Sequence, residues 1–198
     1  MTRPAIPPAI LEAGALAILR GVEPAAAPEL VDAIRAGGIE AVEVTLDSPS
    51  ALEVIARLDG LVGAGTVLDV ESAERALGAG ARFLVAPDCR PELVGWAAER
   101  GVPILPGAFT PTEIRNAWLA GAAGVKLFPA DALGPGYIRA LGRPLAGIPL
   151  IPTGGVDGPG AQAWRDAGAV AVAVGSWLTD AADAATVTRR AASLCRGR

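Results

Sequence analysis

Short unbroken apolar runs recur along the chain, separated by longer segments with helical spacing that close on glycine. Eight of the runs read as strands: Ala15–Leu19, Ala41–Thr45, Leu61–Ala64, Phe83–Ala86, Pro103–Leu105, Gly124–Phe128, Leu150–Ile151 and Val170–Val174. They are continuous rather than alternating, as strands covered on both faces of a parallel sheet are. Between them, Pro28–Ala36, Ser50–Leu58, Val70–Gly78, Pro91–Arg100 and Thr112–Ala120 read as helices, with Ser50, Thr112 and Pro28 as cap or first-turn residues. A further short helix, Pro8–Ala13, is expected to precede the first strand and plug one end of the fold.

The helical segments end in Ala36-Gly37-Gly38, Ala79-Gly80, Arg100-Gly101, Ala120-Gly121 and Ala167-Gly168. Glycine there supplies the left-handed turn that stops a helix. The repeat length, roughly twenty to twenty-five residues, suits a βα unit. Eight such units predict an α/β fold, a (β/α)8 TIM barrel formed by residues 1–198 as a single domain. An open doubly wound sheet with the same alternation is the alternative, and the polar endings of the strands favour the barrel.

Composition narrows the function classes. Hydrophobic residues at 52% and charged residues at 19% exclude a disordered chain, and aromatics at 4% leave the core to Ala, Val, Leu and Ile. A net charge of −4 with no basic run argues against nucleic acid as a partner. No apolar stretch has the length of a membrane span, and Met1-Thr2-Arg3-Pro4 opens no signal-peptide pattern. Cys89 and Cys195 match no metal spacing and are expected to be free thiols in a reducing cytoplasm. Histidine is absent, so acid–base work near neutral pH falls to a carboxylate, a lysine, a hydroxyl or water.

Of the 17 basic residues, Lys126 is the one lysine. An amine that can lose its proton and attack a carbonyl is something arginine cannot supply. Lys126 lies within Gly124-Val125-Lys126-Leu127-Phe128-Pro129, and burial there would favour its neutral form. Side chains alternate along a strand, so Val125 and Leu127 facing the helices put Lys126 inside the barrel. The same argument with Val42 and Val44 turns Glu43 inward. A charged residue in such a strand is costly unless paired or functional, which leaves two readings: a structural ion pair, or a nucleophile with its proton shuttle.

The remaining candidates stand at the strand ends, where such barrels place their sites. Arg20 could clamp a carboxylate or phosphate, or be a surface residue. Thr66 could donate to a substrate oxygen, or bind its own backbone. Gly154 and Gly155 after the seventh strand, and Gly175 and Ser176 after the eighth, suit phosphate binding by backbone N–H groups; ordinary turns are the alternative.

Taken in order, Ala17-Ile18-Leu19-Arg20-Gly21, Ala41-Val42-Glu43-Val44-Thr45-Leu46, Gly63-Ala64-Gly65-Thr66-Val67-Leu68, Pro106-Gly107-Ala108-Phe109-Thr110-Pro111-Thr112-Glu113, Val125-Lys126-Leu127-Phe128-Pro129-Ala130 and Pro152-Thr153-Gly154-Gly155-Val156 resemble one family. It is that of the class I 2-keto-3-deoxy-6-phosphogluconate aldolases, with the 6-phosphogalactonate branch and 4-hydroxy-2-oxoglutarate aldolase. The resemblance runs from roughly Leu16 to Leu178. It implies a (β/α)8 barrel, a homotrimer without metal or other cofactor, and a cytoplasmic enzyme. The substrate would be a phosphorylated keto-deoxy sugar acid, cleaved to pyruvate and D-glyceraldehyde 3-phosphate. By the same resemblance Lys126 would be the Schiff-base lysine and Glu43 the proton shuttle. Thr66 and the Pro106-Gly107 turn would hold the pyruvate carboxylate, and Gly154, Gly155, Gly175 and Ser176 the phosphate; Arg20, from its place at a strand end, is assigned with the first group to the carboxylate or keto group.

The branch signals are mixed. Many phosphogluconate aldolases carry Arg directly after the Glu-Val-Thr-Leu motif, where this chain has Asp47. Leu46-Asp47-Ser48-Pro49, Gly134-Pro135-Gly136-Tyr137-Ile138 and Arg20-Gly21 resemble the phosphogalactonate branch; Gly175-Ser176-Trp177-Leu178 resembles the phosphogluconate type. Two other expectations stay in play: a 4-hydroxy-2-oxoglutarate aldolase with a loose phosphate requirement, and a catalytically silent barrel that binds a sugar phosphate.

Overall fold

The structure is a computed structural model and describes residues 3–195. Nine strand segments run in chain order: β1 Ala15–Leu19, β2 Ala41–Thr45, β3 Leu61–Gly65, β4 Leu84–Val85, β5 Ile104–Leu105, β6 Gly107–Ala108, β7 Val125–Leu127, β8 Leu150–Pro152 and β9 Val172–Val174. All their pairings are parallel. One run is ordered β5-β4-β3-β2-β1-β9 and the other β6-β7-β8. A bridge between Thr153 and Ala173 joins β8 to β9. The chain itself joins β5 to β6, so the sheet closes on itself.

The fifth run of the barrel thus continues past its expected end at Leu105, as two short segments about Pro106. Proline has no N–H to give to a ladder, so pairing stops there and resumes. On one side of the break the segment pairs with β4, on the other with β7. β1 and β2 have the expected bounds, and the other strands keep the expected positions with ends moved by at most two residues.

Among the described residues the α-helices are α1 Pro8–Ala13, α2 Ala27–Ala36, α3 Ala51–Arg57, α4 Val70–Gly78, α5 Pro91–Glu99, α6 Pro111–Leu119, α7 Pro135–Leu141, α8 Gly158–Asp166, α9 Ser176–Thr179 and α10 Ala184–Leu194. The capping expectation for Thr112 is corrected. Thr110 is the N-cap of α6, accepting from the Glu113 N–H, while the Glu113 carboxylate takes the Thr110 N–H at 2.8 Å. That reciprocal pair satisfies two donors the first helical turn leaves free. Ser50 does stand at the N-cap of α3, but its side chain makes no capping bond.

Alternation sorts the core into two layers. Val42, Val44, Val62, Leu84, Val125, Leu127, Val172 and Val174 point outward and pack with the helices. Leu16, Ile18, Phe83, Val85, Leu105, Ile151 and Ala173 fill the barrel interior. Ile6 and Ile10 join this inner layer, so α1 and the segment before it close the end of the barrel at which the strands begin. The Phe83 ring lies where a Cβ on Gly63 would have to go, so a small residue on β3 makes room for a large one beside it.

Candidate active site

The inward positions of β2 and β7 carry charge where their neighbours carry methyl groups. Glu43 is 1% exposed and Lys126 6% exposed. Glu43 stands in register with Ile18 on β1 and Gly63 on β3; Lys126 stands in register with Gly107 on β6 and Ile151 on β8. The Lys126 backbone N–H donates to the Pro106 carbonyl at 2.9 Å, which fixes its strand beside the break.

These two side chains do not form the structural ion pair that remained open from the sequence. Among the described residues, the Lys126 amine and Glu43 carboxylate lie beyond ion-pair distance of each other. The Glu43 Oε2 is buried without a hydrogen-bond partner. The Lys126 Nζ lies 4.9 Å from the centre of the Phe128 ring. Burial pushes the Glu43 carboxyl above the usual range, against the opposing pull of Lys126 and then Arg20. Burial pulls the Lys126 amine below the usual range, with Glu43 opposing and Arg20 assisting. Both effects favour the neutral forms, the state in which an amine is a nucleophile and a carboxyl can give up a proton.

A cavity of about 660 Å³ opens at the ends of the strands and reaches both groups. Arg20, Thr66, Gly154, Gly155, Gly175 and Ser176 line it with Glu43 and Lys126, so eight of the ten site residues expected from the sequence meet in one space. Pro106 and Gly107 are not part of that lining. They support it from behind: Pro106 accepts from Lys126, and a Cβ on Gly107 would overlap the Pro87 carbonyl.

Thr66 is the one non-glycine residue with positive φ among the described residues, at 57°. Such a backbone is uncommon for a branched side chain, and it aims Thr66 from the end of β3 into the cavity mouth. Arg20 is ion-paired with Asp47, and the next N–H, of Gly21, donates to Ser48 Oγ at 2.9 Å. Thr45 spends its hydroxyl on the Leu19 carbonyl at 3.3 Å, tying β2 to β1.

At the far end, Gly154 and Gly155 take positive φ values of 92° and 69°. Their N–H groups have no protein acceptor among the described residues. Ser176 begins α9 beside them. Asp157 and Asp180 also line this end, and Asp157 is turned to its own helix, accepting from the Gly160 N–H at 2.7 Å. Among the described residues, Arg20 and Lys126 are the only cationic side chains in the lining, so an anion at the far end would depend on backbone donors. Sequence reasoning missed Asp47 and Ser48 as partners of the rim, and Phe128 as the neighbour of the amine.

The model of the KDPG and KHG aldolase family matches residues 8–190. The chain belongs to that family. It is therefore an aldolase, a lyase of carbon–carbon bonds, and the closed barrel is the fold of its relatives. A probable 2-dehydro-3-deoxy-6-phosphogalactonate aldolase of Rhizobium meliloti (strain 1021) is 40% identical over 164 residues, 79% of this chain and 76% of that one. A 2-dehydro-3-deoxy-phosphogluconate aldolase of Treponema pallidum (strain Nichols) is 40% identical over 158 residues, 77% and 75% of the two chains. The crystal structure of the KDPG aldolase from Legionella pneumophila, with pyruvate captured as a covalent carbinolamine, superposes with a TM-score of 0.82 at 26% identity, covering 95% of this chain and 97% of that one.

Proposed function

We propose that this aldolase, acting through residues 1–198 as one domain, cleaves a 2-dehydro-3-deoxy-6-phospho sugar acid of the galactonate or gluconate type. The products are pyruvate and D-glyceraldehyde 3-phosphate. The observation that carries the proposal is the buried, inward-facing Lys126 amine, shifted toward its neutral form by burial, beyond ion-pair distance of Glu43 and open to the same cavity. Relatives of both epimer types match equally well, so the galactonate and gluconate substrates stand together in the proposal.

In the proposed reaction the neutral Lys126 amine attacks the C2 ketone. Glu43 moves protons as the carbinolamine loses water to give an iminium. The iminium draws electrons as the C3–C4 bond breaks, and the C4 hydroxyl gives its proton to Glu43. The aldehyde phosphate leaves, an enamine remains, and its protonation at C3 and hydrolysis release pyruvate and the free amine. Arg20 and Thr66 hold the carboxylate next to C2, with the Pro106-Gly107 break setting the strand that carries Lys126. The N–H groups of Gly154 and Gly155, with Gly175 and Ser176, take the phosphate and so orient the bond to be cleaved. The same proposal has the enzyme working as a homotrimer in the cytoplasm; light scattering on the purified protein checks the first of these.

Pyruvate plus borohydride, followed by peptide mapping, is the test. A reduced pyruvyl adduct on the Lys126 peptide is expected, and its absence in wild-type protein would overturn the mechanism. Coupling pyruvate release to lactate dehydrogenase, with both epimers and with their dephosphorylated forms, ranks the substrates. Pyruvate binding without any pyruvate release from either epimer would point instead to a silent binding barrel.

A further inference from the structure

The β2–α3 loop reaches across the barrel rim to β1 with two consecutive side chains. Asp47 pairs with the Arg20 guanidinium, and Ser48 accepts the Gly21 N–H at 2.9 Å. Only Arg20 Nη1 is engaged; among the described residues Nε and Nη2 have no acceptor. Those two nitrogens form the edge of the guanidinium that matches a carboxylate as a fork. Arg20 is otherwise loosely held, with 60% of its side chain exposed. A long stem with that much freedom would have to be immobilised each time an anion bound.

We infer that Asp47 is a positioning residue for the acid end of the substrate: it holds Arg20 over the cavity by one nitrogen and leaves the forked edge free for the keto-acid carboxylate. The inference rests on the aldolase reading above. Asp47 touches no reacting atom in this account. Its effect passes through Arg20, and Ser48 steadies the backbone on which Arg20 stands. The consequence is selective. Pyruvate shares the acid end of the substrate and the aldehyde phosphate does not, so loss of Asp47 weakens one and spares the other.

The test is steady-state kinetics in the condensation direction, with pyruvate and glyceraldehyde 3-phosphate varied separately. Asp47→Ala is expected to raise the pyruvate KM roughly three- to ten-fold, the net scale of one hydrogen bond. The aldehyde KM and kcat are expected to stay within about two-fold of wild type. Asp47→Asn keeps an oxygen acceptor and should recover part of the loss. Adding Asp47→Ala to Arg20→Ala should change nothing further, because the residue it positions is gone. An unchanged or lowered pyruvate KM in Asp47→Ala, an equal rise in both KM values, or the same loss on the Arg20→Ala background would each overturn the inference. Should Asp47→Ala misfold, Asp47→Asn decides the matter by the same two KM values. Borohydride trapping of the wild type separates the two levels: no Lys126 adduct removes the aldolase reading and this one with it, whereas an adduct with an unmoved KM removes only this one.

Discussion

Glu43 and Lys126 feel each other's charge inside the barrel without bonding: the Glu43 Oε2 has no hydrogen-bond partner, and the amine sits 4.9 Å from the Phe128 ring centre. Each therefore holds the other partly charged against the burial that would neutralise both. Glu43→Gln removes the one influence that lifts the Lys126 titration. The amine then loses its proton at lower pH than in wild type. Borohydride trapping of pyruvate on Lys126 should persist further into acid in the variant, while turnover falls by about 10²–10⁴-fold for want of the proposed proton shuttle. Trapping rate against pH, measured beside kcat, checks both. A trapping profile displaced toward alkali would refute the coupling.

The same pair has a cost in stability whose sign follows from the two shifts. Glu43 titrates higher in the folded chain than in the unfolded one, so its ionisation weighs against folding as pH rises above the unfolded value. Lys126 titrates lower in the folded chain, so its protonation weighs against folding as pH falls below the usual lysine range. Neutral pH lies in the window where both penalties act, and the attraction between the groups offsets them only in part. Replacing both groups at once by apolar residues of similar volume, Glu43→Leu with Lys126→Met, should stabilise the inactive protein by about 1–4 kcal/mol at pH 7. Urea unfolding of the double variant beside wild type gives the number, and a clear loss of stability would show that the pair holds the barrel together.

Much of this arrangement was legible before any coordinates, for a simple reason. Val-Glu-Val and Val-Lys-Leu are strand patterns with one polar position facing the wrong way for a core, and alternation alone puts Glu43 and Lys126 in the barrel. The helices α7, α9 and α10 are not named from the sequence, and of α8 only its close at Ala167-Gly168 is. α7 and α8 open on Gly-Pro-Gly, which reads as a turn, α9 is a single turn of four residues, and α10 is rich in Ala and Thr with a thin apolar face. The Arg20–Asp47 pair was invisible because it joins two loops 27 residues apart, and a sequence gives no sign of which loops meet. Thr66 was picked for its hydroxyl, but its backbone conformation leaves no mark on the residue type.

That conformation gives a prediction in which stability and activity part company. Thr66 holds φ at 57°, which glycine adopts freely and a branched residue does not. Thr66→Gly should relieve about 1 kcal/mol or more of backbone strain and raise the melting temperature, while losing the hydroxyl proposed to hold the substrate carboxylate. Thr66→Ala loses the hydroxyl but keeps a Cβ on the strained backbone, so it should lower activity with no comparable thermal gain. Melting temperatures with pyruvate KM for the pair decide it: if glycine and alanine melt alike, strain at this position is not significant.

The last prediction concerns Gly65, which the sequence marks only as part of the Gly63-Ala64-Gly65-Thr66-Val67-Leu68 motif. A Cβ built on Gly65 would overlap the Glu43 carboxylate, so the absent side chain is what leaves room for that carboxylate. Gly65→Ala must move either β3 or Glu43, and overpacking of that kind costs about 1–3 kcal/mol. Any displaced Glu43 also loses its relation to Lys126, so kcat should fall with the stability. Gly95 supplies the contrast. It lies inside α5 with nothing within 4 Å of where a Cβ would go, and Gly95→Ala should stabilise by about 0.5–1 kcal/mol and leave turnover alone. The same substitution, made on a strand beside the buried carboxylate and on an open helix face, should shift the urea midpoint in opposite directions; equal shifts at the two positions would mean that Gly65 does not shape the site.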